Sequence, residues 1–226
     1  MLKFYYHPLS PIARRVWIAL LEKDIPFEPI PIDLRGEQFQ PEFLALNPFH
    51  RVPVIVNDNV RVIESFAILD YLECKYPTPS LMPRAAEEIA RMRMVQAIAA
   101  NEVVPKIPAL VNAETAAELS DAAEQCGPAW RFLSDQLGDR TYFGGDTIDL
   151  ADIVAGAAIT LGSQLGLSLD SYPTLNQWLQ RLVTRPAWQA TTPSDADLST
   201  WKRWVRLRIK RHQQRQQRRT LAQSAS

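Results

Sequence analysis

A change of hydrophobic period near residue 80 constrains this chain more than any single motif. Before it, strand-like alternation and helical spacing take turns; after it, only helical spacing remains. Leu2–Tyr6 reads as a strand, and Ile12, Val16, Ala19 and Leu20 recur at helical spacing from Pro11 to Lys23. Pro26–Ile32 alternates as a second strand, confined to a sheet edge by prolines that have no N–H to donate. A short helix over Gln40–Leu46 stops at Asn47-Pro48, and Val52–Val56 and Val60–Ile63 form a hairpin about Asn57-Asp58-Asn59. Glu64-Ser65 then opens a helix that runs to about Tyr76. The order β-α-β-α-β-β-α is complete before a proline-rich linker, Pro77-Thr78-Pro79-Ser80 with Pro83. Beyond it, helices are expected over Ala85–Val104, Ala113–Leu137, Leu150–Leu165 and Thr174–Val183. The chain thus divides into an α/β domain (1–78), an all-helical domain (84–200) and a C-terminal extension (201–226).

Composition narrows the function classes. With 46% hydrophobic and 22% charged residues, the 226-residue chain has the balance of a globular protein. No stretch approaches the roughly 20 apolar residues of a membrane helix, and Met1–Tyr6 enters a strand pattern without a signal-peptide core. A cytoplasmic location is the resulting expectation. Cys74 and Cys126 lie far apart, and with only three histidines there is no metal-ligand or CxxC spacing. Each cysteine reads as a small hydrophobe, and neither a metal nor a cofactor is expected.

The run Tyr6-His7-Pro8-Leu9-Ser10-Pro11 places a hydroxyl at a strand-to-helix turn, with Ser10 as N-cap and Pro11 at the first helical position. Unpaired N–H groups and the positive end of the helix dipole there favour an anion or a thiolate. The turn also follows the carboxyl end of a strand, where open α/β sheets bind ligands. A cis Val52-Pro53 peptide would expose the Val52 backbone instead of committing it to the ladder. Glu64-Ser65 adds a second helix start. Together these elements suit a peptide-like ligand with a carboxylate and an amine.

These residues make the chain resemble a cytosolic glutathione transferase of the serine-type, bacterial-like kind, over about residues 1–190. The family's S-x-x-x-R stretch is matched by Ser10-Pro11-Ile12-Ala13-Arg14, and N-P-x-x-x-V-P by Asn47-Pro48-Phe49-His50-Arg51-Val52-Pro53. Glu64-Ser65 matches the pair that holds the γ-glutamyl end of glutathione. Phe143–Asp152 resembles the helix-capping box of the second domain, with Asp149 in place of the usual Ser or Thr. Tyr172-Pro173, Trp178 and Arg185-Pro186-Ala187-Trp188 fit the closing helices.

The resemblance implies a thioredoxin-like N-terminal domain followed by an all-α domain. It also implies a homodimer, and glutathione as co-substrate. Ser10 would activate the thiol, with Tyr5 and Tyr6 as competitors; the absence of a cysteine at position 10 argues against disulfide chemistry. Gln38, His50, Arg51, Val52, Pro53, Glu64 and Ser65 would bind glutathione. Leu9, Ile12, Met94 and Ile98 would line the electrophile site, although Met94 and Ile98 fit core or dimer packing equally well. Arg91 and Arg93 are solvated charges or interface partners. The implied reaction is conjugation of small hydrophobic electrophiles such as isothiocyanates or aryl halides. A glutathione-dependent isomerase or dehalogenase is the alternative within enzymes, and a non-catalytic binding module working through its tail is the alternative outside them.

The tail departs from that pattern. Nine basic residues and no acidic one lie between Trp201 and Arg219, which leaves the preceding body with 16 basic against 25 acidic residues, a net −9. Trp201, Trp204, Val205 and Ile209 interleave with the arginines at helical spacing. This basic helix could dock on the acidic body, extend into solvent, or contact anionic lipid or nucleic acid. The glutamine-rich stretch and Ala-Gln-Ser-Ala-Ser end read as disordered.

Overall fold

Leu2, Phe4 and Tyr6 point into the core while Lys3 faces outward, the alternation that makes β1 (Leu2–Tyr6) an interior strand. In this computed structural model, which describes residues 1–224, β1 pairs in parallel with β2 (Phe27–Pro31) and antiparallel with β3 (Val54–Asn57). The hairpin partner β4 (Val60–Ile63) completes a four-stranded mixed sheet of order β2-β1-β3-β4. The prolines of β2 occupy a sheet edge, where missing N–H groups cost nothing.

Helix α1 (Pro11–Glu22) buries Ala13, Val16, Ile18, Ala19 and Leu20. The short α2 (Pro41–Leu46) follows β2, and α3 (Ser65–Lys75) follows β4 and packs beside α1. This is a thioredoxin-like β/α unit.

Among the described residues, every named element that follows is helical. α4 (Ala86–Ile98) was expected to run on to Val104, but regular α geometry ends at Ile98. The path continues through a π turn (Ala99–Val103) and a 3-10 turn (Val104–Lys106) into α5 (Ile107–Asn112). Pro105 and Pro108 remove two of the donors that a regular helix would use there. The single helix expected over Ala113–Leu137 is two: α6 (Ala116–Glu124), opened by a Thr115–Glu118 capping box, and α7 (Gly127–Leu137). Pro128 in the first turn of α7 fits a helix start and not an interior.

α8 (Leu150–Gln164) is buried on nearly every side as far as Gly162, as expected of a helix that is apolar all round. It packs against both α1 and α4, and so forms the spine between the two halves. α9 (Pro173–Val183) and α10 (Pro186–Thr191) close the helical layer, and α11 (Asp195–Ser224) runs out from it.

Carboxylates organise the start of α8. Asp149, the N-cap, accepts through Oδ1 from the N–H groups of Ala151 (2.6 Å) and Asp152 (3.3 Å). Asp152 accepts from the N–H groups of Phe143 (2.9 Å), Gly144 (3.2 Å) and Asp149 (2.9 Å), and from Trp178 Nε1 (2.7 Å). Burial raises both carboxyls. The donors around Asp152 offset this, so the first proton taken up sits on Asp149, pushed up to about 7 by burial and by the Asp152 charge. Such a group adds stability below its unfolded value of about 3.9 and loses it as the pH rises through the folded value. Asparagine caps as well as aspartate but carries no charge. Asp149→Asn is therefore expected to gain on the parent in thermal midpoint between about pH 4 and pH 8. A gap that does not change with pH would show that Asp149 holds no proton.

The first turns of α11 dock on the helical layer. Leu198 and Trp201 are buried and Trp204 and Val205 half-buried, while Arg206 donates to the carbonyls of Val111 (2.7 Å) and Ala113 (3.3 Å) at the end of α5. A cation at a helix C-terminus satisfies acceptors that the helix cannot pair itself. The disorder expected for the glutamine-rich stretch is corrected here: the helix continues through it to Ser224. Glutamine, arginine, leucine and alanine are good helix formers, and growth from an already docked helix carries no nucleation cost. Residues 225 and 226 lie outside the described part of the chain.

Candidate functional site

Strand register brings three segments to one end of the sheet. Tyr5 pairs with Val54, and Val54 pairs with Ile63. The turn after β1, the peptide before β3 and the junction after β4 therefore lie side by side. Pro31 of β2 faces Tyr6, so the loop carrying Gln38 leaves from the same end.

At the turn, Ser10 Oγ accepts the Ala13 N–H at 3.2 Å and caps α1. A hydroxyl has one proton and two lone pairs, so capping leaves its proton free to be donated. Pro11 has no N–H, and the Ile12 N–H meets no acceptor among the described residues. The turn thus offers a hydroxyl proton and an amide at the positive end of α1. His7 Nδ1 accepts the Leu9 N–H at 3.2 Å, which leaves the ring proton on Nε2, and burial lowers the His7 pKa. Of the competing tyrosines, Tyr6 is buried, stacked on Phe4 at 4.8 Å, with its pKa raised by burial; Tyr5 is half-buried.

Asn47 shapes the second segment. Buried at 1% exposure, it donates from Nδ2 to the Arg51 carbonyl (2.7 Å) and accepts the Phe49 N–H (3.0 Å). The Val52–Pro53 peptide is cis, and the β1–β3 ladder begins only at Val54, so the Val52 backbone stays outside it. His50 is exposed, with φ 50° and its ring 5.1 Å from Phe39; Arg51 is exposed.

Glu64 holds the third segment with φ 66°, a left-handed conformation that a side chain disfavours. Its carboxylate is exposed, no side chain caps α3, and Ser65 is buried as the first helical residue. Gln38 is buried and donates to the Leu34 carbonyl (2.8 Å), while its Oε1 has no partner among the described residues.

Two cavities adjoin the turn. The larger, about 380 Å³, lies between His7, Leu9 and Trp17 on one side and the Ala190–Ser194 segment on the other. A smaller cleft reaches Ser10 itself and is walled by Leu9, Pro11, Arg14, Leu161, Gln164 and Pro193. Leu9 lines both. Ile12, Met94 and Ile98 line neither, and Met94 is exposed on α4.

Gln164 and Pro193 come from more than 150 residues away, and nothing in their local sequence marks them. Arg14 ties the turn to the helical half through Thr160 (2.6 Å), Thr191 (3.2 Å) and Thr192 (3.1 Å). Burial without a carboxylate partner lowers its pKa to about 10, which leaves it charged at neutral pH. On α4, Arg93 pairs with Asp70 (2.5 Å) and Arg91 with Glu88.

Among the described residues there is no cluster of three or more potential metal ligands, and no helix is long and apolar enough to cross a membrane.

Two family models match this chain. The glutathione S-transferase N-terminal domain model matches residues 4–80, and the C-terminal domain model matches residues 72–186. The chain belongs to the cytosolic glutathione transferase family. It is 32% identical to glutathione S-transferase Z1 of Arabidopsis thaliana, across 88% of this chain and 96% of that protein. It is 29% identical to maleylacetoacetate isomerase of Rattus norvegicus, across 84% and 91%. Among solved structures, a glutathione transferase homologue from Sulfitobacter with bound glutathione superposes with a TM-score of 0.71 at 25% identity, covering 84% of this chain and 96% of that one. Family membership carries glutathione-dependent chemistry, and the relatives divide between transferases and isomerases.

Proposed function

We propose that this glutathione transferase binds glutathione across the Tyr5–Val54–Ile63 end of its sheet and adds the glutathione thiolate to small hydrophobic electrophiles. The observation that carries the reading is the register itself, which sets the Ser10 turn, the Val52 backbone and the Glu64-Ser65 junction in one row. Glu64 and Ser65, with the uncapped N–H groups of α3, take the γ-glutamyl end. The free Val52 backbone takes the cysteinyl amide, Pro53 sets its angle, and the Gln38, His50 and Arg51 region takes the glycine end.

A free thiol titrates near pH ~8.5, so neutral solution holds little thiolate. The Ser10 hydroxyl proton, the Ile12 N–H and the α1 dipole favour the anion and lower that value. Leu9 and the cavity beside it hold the electrophile next to the sulfur, and proximity does the rest. Met94, Ile98 and the side chain of Ile12 belong to this wall only if the electrophile extends beyond those cavities. The protein works as a cytoplasmic homodimer with residues 1–78 and 84–200 as its two domains.

Ser10→Ala tests the thiol step. It is expected to lower kcat for an isothiocyanate or aryl halide by roughly 10²-fold, the effect of losing one donor aimed at a developing anion. Retention on immobilised glutathione is expected to persist. Unchanged turnover would reduce Ser10 to a helix cap.

The isomerase relatives favour one second reading: reversible thiolate addition to an activated alkene, rotation, and release. Stoichiometry separates the two. Conjugation consumes one glutathione per turnover, whereas isomerisation consumes none.

A further inference from the structure

The distal half of α11 is basic and glutamine-rich in sequence. Among the described residues, Val205 and Arg206 are the last side chains of α11 that pack on or bond to the helical layer; Arg203, Leu207, Arg208, Lys210 and Arg211 are exposed, and none of these four cations has an ion-pair partner among the described residues. The helical backbone nevertheless continues to Ser224, about 24 Å past Arg208 at 1.5 Å per residue. After Asp197 the sequence holds no acidic residue. At 3.6 residues per turn, Arg208, Arg211, Arg215, Arg218 and Arg219 recur on one side of the helix, with Gln213, Gln214, Gln216 and Gln217 at positions around the rest.

We propose that this segment is a docking element for duplex DNA, engaged mainly through the phosphate backbone. A row of arginines repeating each turn matches a polyanion. A bare α-helix, about 10–12 Å across, fits the B-form major groove of about 12 Å. Continuous basic helices that leave a folded body use this geometry. The deep, narrow major groove of A-form RNA does not admit a helix. A membrane surface would require an apolar face, and from Lys210 onward Leu221 is the sole large apolar residue in the sequence. Glutamine amides add hydrogen bonds to phosphates and base edges.

The test uses the full chain and a fluorescein-labelled duplex in an anisotropy titration, at salt from about 50 to 200 mM. Binding is expected to fall log-linearly with salt, with a slope of about −4.5 for five neutralised phosphates. Replacing Arg215, Arg218 and Arg219 together by Gln, a good helix former, should flatten the slope to about −1.8 and weaken binding more than tenfold at low salt. The corresponding Lys variant should retain binding. The thermal midpoint of the Gln variant should match the parent, since glutamine keeps the helix propensity at each position. The proposal is overturned by no binding at 50 mM salt, or by equal binding of the Gln variant. Tighter binding to duplex RNA or to phosphatidylserine vesicles would also overturn it, as would salt-sensitive self-association through the tail with no uptake of DNA.

Discussion

Asp152→Ala is expected to destabilise the protein by about 3–5 kcal/mol, because it strands buried donors all at once. Three backbone N–H groups and the Trp178 indole N–H converge on its two carboxylate oxygens. Alanine offers none of them an acceptor, and a side chain with 0% exposure leaves little route for water. For a chain of this size the loss corresponds to a fall in thermal midpoint on the order of 10 °C. Asp152→Asn keeps the shape and one acceptor, and should fall between the two. Thermal unfolding of the three proteins checks the order. Near-equal midpoints would mean that the network is dispensable. Because α8 is the spine between the two halves, the loss should appear in the unfolding of both.

The second large effect concerns a buried ion pair where the sheet unit meets the linker. Lys23 Nζ lies 2.7 Å from Glu73 Oε1 and also donates to the Pro79 carbonyl at 2.5 Å. Glu73 in turn accepts from the Leu81 N–H (3.1 and 3.2 Å) and from Ser80 Oγ (3.3 Å). The two side chains are 0% and 6% exposed. Glu73→Ala leaves an ammonium buried without its partner, a change expected to cost about 3–5 kcal/mol. Replacing both, as Lys23→Met with Glu73→Leu, removes the two desolvation penalties and should recover most of that loss. Denaturant unfolding of Lys23→Met, Glu73→Leu and the double variant forms the cycle, with Glu73→Ala alongside. A double variant as unstable as Glu73→Ala would show that the hydrogen bonds to Leu81 and Ser80, and not the unpaired charge, carry the effect.

Much of the fold could be read from local pattern. The edge position of β2 followed from its prolines, and the start of α1 from Ser10-Pro11. The errors also have local causes. A single helix over Ala113–Leu137 overlooked what Gly127-Pro128 does to a helical path, and an uninterrupted Ala85–Val104 overlooked the donors lost at Pro105 and Pro108. The disorder assigned to the glutamine-rich tail ignored that a docked helix has already overcome nucleation.

The candidate site divides differently. Ser10, Val52-Pro53 and Glu64-Ser65 were visible because each alters the backbone locally: a cap, a proline peptide, a helix start. Asn47 stood in a recognised motif, yet its role as a bridge across the loop emerged only from its hydrogen bonds. Gln164 and Pro193 left no signal, since a cavity wall is a meeting of distant segments with no periodicity of its own. Met94 and Ile98 show the converse: i, i+4 spacing placed them on one side of α4 but not beside the cavities at Ser10.

By itself the sequence determined the order of elements as far as α3, the switch near residue 80, the cap at the turn and the segregation of charge into the tail. Each depends on neighbours within a few residues, where sterics and hydrogen-bond geometry act directly on the chain. Only the tertiary structure decided that Tyr5, Val54 and Ile63 share a row, that Arg14 sits among three threonines, and that Arg206 holds the end of α5. Those facts rest on strand register and helix packing, which are set by burial summed over the whole core. The hydroxyl of Ser10 is therefore a cap by sequence, and a candidate hydrogen-bond donor to a thiolate by what register places beside it.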